Sequence, residues 1–159
     1  MAQEYDLVVI GGGSAGLVGA KFAGGLGLKV AMVEMDKIGG DCTWQGCVPS
    51  KALLKVAKTA YAARAGEYYG IHSEPPTVDM ERVRDYVQGV IHNVYHHETP
   101  EAVREAGVEP FIGQAKFIDP HTINVTLENV SEVHLKGIKF IIATGSTPAK
   151  LPIPGLEDV

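Results

Sequence analysis

The feature that most restricts how this chain can fold is the run Gly11-Gly12-Gly13-Ser14-Ala15-Gly16, set between two apolar segments. Before it, residues 5–10 (Tyr-Asp-Leu-Val-Val-Ile) form a short, β-branched stretch suited to a buried strand of a parallel sheet. After it, residues 14–26 read as a helix rich in small side chains, and residues 29–34 (Lys-Val-Ala-Met-Val-Glu) as a second strand. The three together make a βαβ unit, whose crossover is expected to be right-handed. Gly11, Gly13 and Gly16 stand in the order G-x-G-x-x-G. Gly11 permits a tight turn, Gly13 lets a pyrophosphate approach the backbone, and Gly16 lets the helix pack on the strand. The helix N-terminus at Ser14 and Ala15 offers N–H groups and a partial positive charge to phosphate. Glu34 lies about 20 residues further on, where a carboxylate can accept hydrogen bonds from a ribose diol. The pattern identifies a dinucleotide turn. It does not distinguish a flavin from a nicotinamide dinucleotide, and Glu34 argues only against a 2′-phosphate.

Beyond residue 47 the apolar positions Leu53, Leu54, Val56 and Ala57 recur at helical spacing up to about residue 65, with Pro49 as the first helical residue. A polar, proline-bearing link covers residues 67–77. A long amphipathic helix follows, with Met80, Val83, Val87, Val90, Ile91 and Val94 on one stripe. Thr99-Pro100 opens a short helix to residue 106, Thr99 serving as N-cap. Residues 110–118, 122–127 and 132–135 read as an antiparallel meander turning at Asp119-Pro120 and Glu128-Asn129. Residues 137–143 return as a last apolar core strand, and residues 144–159 as a loop.

The 159 residues suit one domain with a sizeable core, and a hydrophobic fraction of 45% argues against disorder. The net charge is -5 without a long basic run, which makes nucleic acid a poor partner. No apolar stretch reaches the roughly 18 residues a membrane helix needs, and no basic region with an apolar signal core opens the chain. The expectation is therefore a cytoplasmic protein. In that setting the two cysteines, Cys42 and Cys47, point to redox chemistry, because no histidine neighbours them in sequence and two thiols make a poor zinc site. Five steps of regular helix give a rise of about 7.5 Å and a rotation of about 140°. That separation exceeds disulfide geometry. The segment must therefore be distorted, and Gly46 allows it. Cys47 precedes a helix and lies near Lys51, so it is expected to be the better thiolate of an asymmetric pair.

The stretch Gly39-Gly40-Asp41-Cys42-Thr43-Trp44-Gln45-Gly46-Cys47-Val48-Pro49-Ser50-Lys51 resembles the signature of the class I pyridine nucleotide–disulfide oxidoreductases. That family includes dihydrolipoamide dehydrogenase, glutathione reductase and mercuric reductase. The turn through Glu34 is similar to the family's FAD site. Ala143-Thr144-Gly145-Ser146-Thr147-Pro148, running on to Ile153-Pro154-Gly155, resembles its second flavin motif. The resemblance covers essentially the whole chain. It implies an α/β, Rossmann-like FAD-binding domain: a parallel sheet with helices on it and an inserted antiparallel meander. By the same resemblance Cys47 would face the flavin, and Cys42 would attack the substrate disulfide. Lys51 would sit near the flavin, and Glu34 would hold the ribose. Met35, Gly40 and Asp41 would belong to the same cofactor site. Ala115 would meet the adenine through its backbone, and Thr144, Gly145 and Ser146 would line the diphosphate. Asp41 and Trp44 stand where the family more often shows threonine and asparagine, and Gly24-Gly25 replaces a better helix-forming pair.

Family members run to about three times this length, and the chain holds no second G-x-G-x-x-G. The nicotinamide and dimerisation domains are therefore expected outside residues 1–159. The resemblance implies electron flow between NAD(P)H, FAD and the cysteine pair, with a disulfide such as lipoamide, another small molecule or a metal ion as substrate, in a full-length homodimer. A non-catalytic nucleotide-binding module with a regulatory disulfide is the competing class. His92, His96 and His97 share a helix end without a cysteine or carboxylate to complete a ligand set, and no metal is expected there.

Overall fold

The computed structural model describes residues 2–72, 74–149 and 151–156. Its elements run β1 (Gln3–Ile10), α1 (Ser14–Gly25), β2 (Val30–Glu34), α2 (Gly40–Trp44), α3 (Cys47–Ala65), α4 (Met80–Tyr95), α5 (Pro100–Glu105), β3 (Val108–Asp119), β4 (Thr122–Leu127) and β5 (Glu132–Ile142). A 3-10 turn, Gly66–Tyr69, opens the link after α3.

β1 lies centrally, parallel to β2 on one side and to β5 on the other. β3 runs parallel to β2 as far as Ile112, which pairs with Glu34. From Gly113 the same strand turns antiparallel to β4. β5 likewise serves two partners. Its start, through Lys136, pairs antiparallel with β4, and from Leu135 onward it pairs parallel with β1. The sheet thus closes on itself in the order β1-β2-β3-β4-β5.

The meander expected as a separate insertion therefore shares its outer strands with the parallel sheet. The two strands read at residues 132–135 and 137–143 are one. Gly137 lies within this strand and donates its N–H to His121 O at 2.9 Å. At the other changeover a Cβ on Gly113 would sit 2.4 Å from Thr126 O, so only glycine lets β3 pass so close to β4.

Alternation along the strands builds two cores. Val9, Val30, Met32 and Val108 face α1 and α5, where Leu17, Ala20, Ala23 and Val103 meet them. Val8, Ala31, Val33, Ile123, Val125 and Leu135 fill the closed side, with Tyr5 at one end. The continuous apolar run in β2 is needed because both its faces are buried. Gly24 lets α1 end against the backbone after α5, since a Cβ there would lie 2.5 Å from Ala106 O.

Thr99 caps α5 as expected, its hydroxyl accepting from Ala102 N at 3.2 Å. Asp79 caps α4 by accepting from Glu81 N and Arg82 N. Two expectations need correction. The helix expected to open at Pro49 begins at Cys47, and the cysteine loop holds an extra helical turn, α2. The α4 stripe lies more open than its periodicity implies, with Ile91 alone buried and Met80 63% exposed. The last part of the loop read at residues 144–159 extends outside the described residues.

Gly113→Val should lower unfolding free energy by about 2 kcal/mol or more, because the branched side chain meets the β4 backbone. Gly89→Ala in α4, where a Cβ meets nothing within 4 Å, should instead raise it by about 0.5–1 kcal/mol. Urea unfolding of the two variants measures both.

Candidate active site

The site forms where the carboxyl ends of the parallel strands β1, β2 and β5 converge, the end at which α/β folds place their ligands. Gly11 N donates to Val33 O at 2.8 Å, and Ala143 N donates to Ile10 O at 2.8 Å. Gly11 is wedged between these strand ends with φ +105°, and a Cβ there would lie 2.2 Å from Ala143 O. Gly16 closes against the same turn, where a Cβ would meet Gly11 O at 1.8 Å. Glu34 reaches across it. Its Oε2 accepts from Gly12 N at 2.6 Å and its Oε1 from Asp36 N at 2.9 Å.

Gly13 caps α1 without a side-chain acceptor, and the first turn carries no acid. Ser14 and Ala15 are exposed there. A Cβ on Gly13 would meet nothing nearer than Gly40 Cα at 3.9 Å, so the face of the turn is open. An uncapped helix N-terminus behind an open glycine suits a phosphate.

The cysteine loop is fastened directly to this turn. Gly39 N donates to Gly12 O at 2.8 Å. Gly39 and Gly40 have φ of +102° and +56°, and a Cβ on Gly40 would lie 2.9 Å from Gly13 Cα. The crossing leaves no room for a side chain on Gly39 or Gly40. α2 then carries Cys42 and ends as Gln45 N and Gly46 N both donate to Asp41 O, at 2.9 and 2.5 Å. At Gly46 (φ -113°, ψ -106°) the chain changes direction and α3 starts at Cys47. This is the distortion that the five-residue spacing demanded.

Both cysteines are free thiols, Cys42 half-buried and Cys47 exposed. The Cys42 thiol is held below its ordinary pKa, first by a hydrogen bond from Cys47, then by one from Ser14, with the Lys51 charge assisting. Its slight burial and the Glu98 carboxylate act in the opposite direction. The helix N-terminus pointed to Cys47 as the activated thiol; here the donors converge on Cys42. Sequence reading missed Thr43 and Glu98. Thr43 is buried beside Cys42, and its hydroxyl donates to Glu98 Oε2 at 2.8 Å. No local signal links residues 55 apart.

The other expected positions gather around the same end of the sheet. Met35 is exposed beside Glu34, and Asp41 and Lys51 are exposed on α2 and α3. Thr144, Gly145 and Ser146 are exposed just beyond Ala143, with Gly145 at φ +75°. Ala115 lies on β3 beyond the last residue paired to β2, opposite Val125 of β4. Trp44 is a strut: its Nε1 donates to Ile38 O at 2.9 Å, its ring lies tilted at 57° against Tyr95 with centroids 4.9 Å apart, and Lys37 Nζ lies 4.8 Å from the ring centroid. His92 Nδ1 lies 2.7 Å from Gln88 O, and the His96 and His97 rings meet edge to face. Among the described residues no group of three or more His, Cys, Asp or Glu could hold a metal ion.

A glycine turn with an uncapped helix behind it, an acid on the second strand, and a dithiol fastened to both define a Rossmann-like dinucleotide-binding domain equipped for thiol redox chemistry. Residues 5–159 match the pyridine nucleotide-disulphide oxidoreductase family, and the chain belongs to it. It is similar to the mercuric reductase of Staphylococcus aureus, at 33% identity over 156 residues covering 98% of this chain and 28% of that protein. It is also similar to a dihydrolipoyl dehydrogenase of Bacillus subtilis, at 36% identity over 165 residues covering 99% of this chain and 34% of that protein. Dihydrolipoyl dehydrogenase 2 of Haloarcula marismortui is 36% identical over 154 residues, covering 96% of this chain and 32% of that protein. The chain therefore spans between 28% and 34% of the length of these relatives.

Ser14→Ala removes one donor to the Cys42 thiolate. A lost thiolate donor raises the thiol pKa, so the pH profile of Cys42 alkylation should move to higher pH. Mass-spectrometric mapping of iodoacetamide adducts across a pH series measures the displacement.

Proposed function

We propose that this chain is the flavin-binding portion of an FAD-dependent disulfide oxidoreductase that passes electrons between NAD(P)H and a disulfide substrate through Cys42 and Cys47. The dihydrolipoyl dehydrogenase relatives favour lipoamide as the substrate. The observation that carries the reading is the Gly39–Gly12 hydrogen bond, which sets the dithiol loop on the dinucleotide turn.

The residues present fit FAD. The N-terminus of α1 and the open face of Gly13 would take the diphosphate, with Thr144, Gly145 and Ser146 alongside. Glu34, now accepting two backbone N–H groups, retains lone pairs for a ribose diol. Ala115 would face the adenine, and Met35, Gly40, Asp41 and Lys51 would border the cofactor. Bound FAD would supply a two-electron carrier between the nicotinamide and the thiols.

The protein's own part is thiol–disulfide exchange. Cys42, favoured as thiolate, attacks one sulfur of the substrate disulfide and releases the other as a thiolate. Cys47, deprotonated, then attacks the Cys42 sulfur of the mixed disulfide and releases the second substrate thiolate. Two substrate thiols are formed as the Cys42–Cys47 pair is oxidised to a disulfide. In the reverse direction the same steps oxidise a dithiol substrate. The remainder of the protein would supply the nicotinamide site and a homodimer interface, with the cytoplasm as the compartment.

A second reading, a mercuric reductase-like enzyme, is favoured by the Staphylococcus aureus relative, and a dithiol is a suitable ligand for a soft metal ion. Mercuric ion and lipoamide offered to the full-length enzyme with NAD(P)H would separate the two by which is turned over.

Reconstitution with FAD should give bound flavin with its visible absorption bands, and oxidised glutathione should close a Cys42–Cys47 disulfide detectable by mass spectrometry. Gly13→Val should fold, since the added atoms point into open space, but lose FAD affinity by at least about tenfold through the filled cradle. A chain that binds no flavin, or a Gly13→Val variant that binds it as well as the wild type, would sink this assignment.

A further inference from the structure

Thr43 is the buried polar side chain of the fold among the described residues, at 2% exposure. It stands next to Cys42, on a helix of five residues. So short a helix does not hold itself and depends on tertiary contacts. The contact it makes is unusual in reach: Thr43 Oγ1 donates to Glu98 Oε2 at 2.8 Å, across the turn between α4 and α5. The same carboxylate oxygen lies against the loop backbone, where a Cβ on Gly39 would come within 2.4 Å of it.

The turn carrying Glu98 is fixed from three sides. Glu98 N donates to Tyr95 O of α4 at 2.7 Å. Lys21 Nζ of α1 donates to His97 O at 2.6 Å. Thr99, the next residue, caps α5. Glu98 therefore reaches from a braced part of the domain to the one short element that carries Cys42.

We propose that Glu98 is a positioning residue for the Cys42–Cys47 pair: it holds the α2 turn through the buried Thr43 hydroxyl and places a negative charge facing Cys42. This rests on the two cysteines being the redox pair. An amide could hold the hydroxyl equally well, so the carboxylate matters for its charge. The groups facing Cys42 are Ser14 of α1, Cys47 and Lys51 of α3, and Glu98. The first three favour the thiolate, and Glu98 opposes them. An over-stabilised thiolate is a weaker nucleophile, and exchange is fastest when the attacking thiol titrates near the ambient pH. Glu98 restrains the stabilisation that the other three provide.

The test is the pH profile of Cys42 alkylation in the 159-residue chain, read by mapped iodoacetamide adducts, alongside amide hydrogen exchange. Glu98→Gln keeps an acceptor for Thr43 and removes the charge. Its profile should move to lower pH, with Cys42 alkylated at least about twofold faster at pH 6, while exchange protection at residues 43–45 is retained. Glu98→Ala removes the acceptor as well and should lose that protection. A wild-type profile in Glu98→Gln overturns the electrostatic role. Wild-type protection in Glu98→Ala overturns the positioning role. Alkylation reads a single thiol and needs neither flavin nor a closed disulfide. Failure here is thus distinct from failure of the redox assignment, which is judged by flavin binding and disulfide formation in the wild-type chain.

Discussion

The contact of two glycine backbones, Gly12–Gly13 under Gly39–Gly40, is the constraint on which the rest of the site depends. A hydrogen bond from Gly39 N to Gly12 O joins them, and Gly40 comes so near Gly13 that a side chain on Gly40 would have no room at the crossing. The first loop ends at the N-terminus of α1, where the partial positive charge suits phosphate. The second continues directly into the helical turn bearing Cys42. One crossing therefore fixes the distance between an anion-binding helix end and a reactive thiol. A loop hinged anywhere else would leave that distance to chance.

Around Cys42 the chemistry is a balance of partners from separate elements. A hydroxyl from α1 and a thiol from α3 bond to its sulfur, while the charges of an ammonium from α3 and a carboxylate from the α4–α5 turn act on it in opposite directions. The break at Gly46 makes the meeting possible. A continuous helix would carry Cys47 about 7.5 Å along the axis from Cys42 and away from its face. Trp44, braced by Ile38 O and Tyr95, fastens the same turn from its other side. Its departure from the commoner family residue thus acts in packing α2 onto α4.

Much of the architecture was legible in the sequence. Period-two alternation and β-branched runs located β1, β2 and β4 closely, and Thr99-Pro100 marked the start of α5. The glycine turn, Glu34 and the cysteine pair identified the end of the sheet where the site forms. Where reading failed, the cause was local. Residues 132–135 and 137–143 read as two strands, but they run on as one, with Gly137 paired to β1 while its N–H serves His121 O. Glycine permits both outcomes, and only the neighbouring strands choose between them. The α2 turn was missed because five residues carry too little periodicity to register.

The order of residues by itself determined the βαβ unit, the glycine turn between its first strand and helix, and the thiol spacing that forbids a regular helix. These follow from short-range sterics and local periodicity, which a chain carries wherever it is folded. Tertiary structure alone decided that β3 and β5 each serve two partners and close the sheet. It alone brought Glu98 to Thr43 across 55 residues and gathered Ser14, Cys47 and Lys51 about Cys42. Such contacts depend on the relative placement of distant elements. That placement is set by burying the two faces of the sheet, and no run of neighbouring residues encodes it.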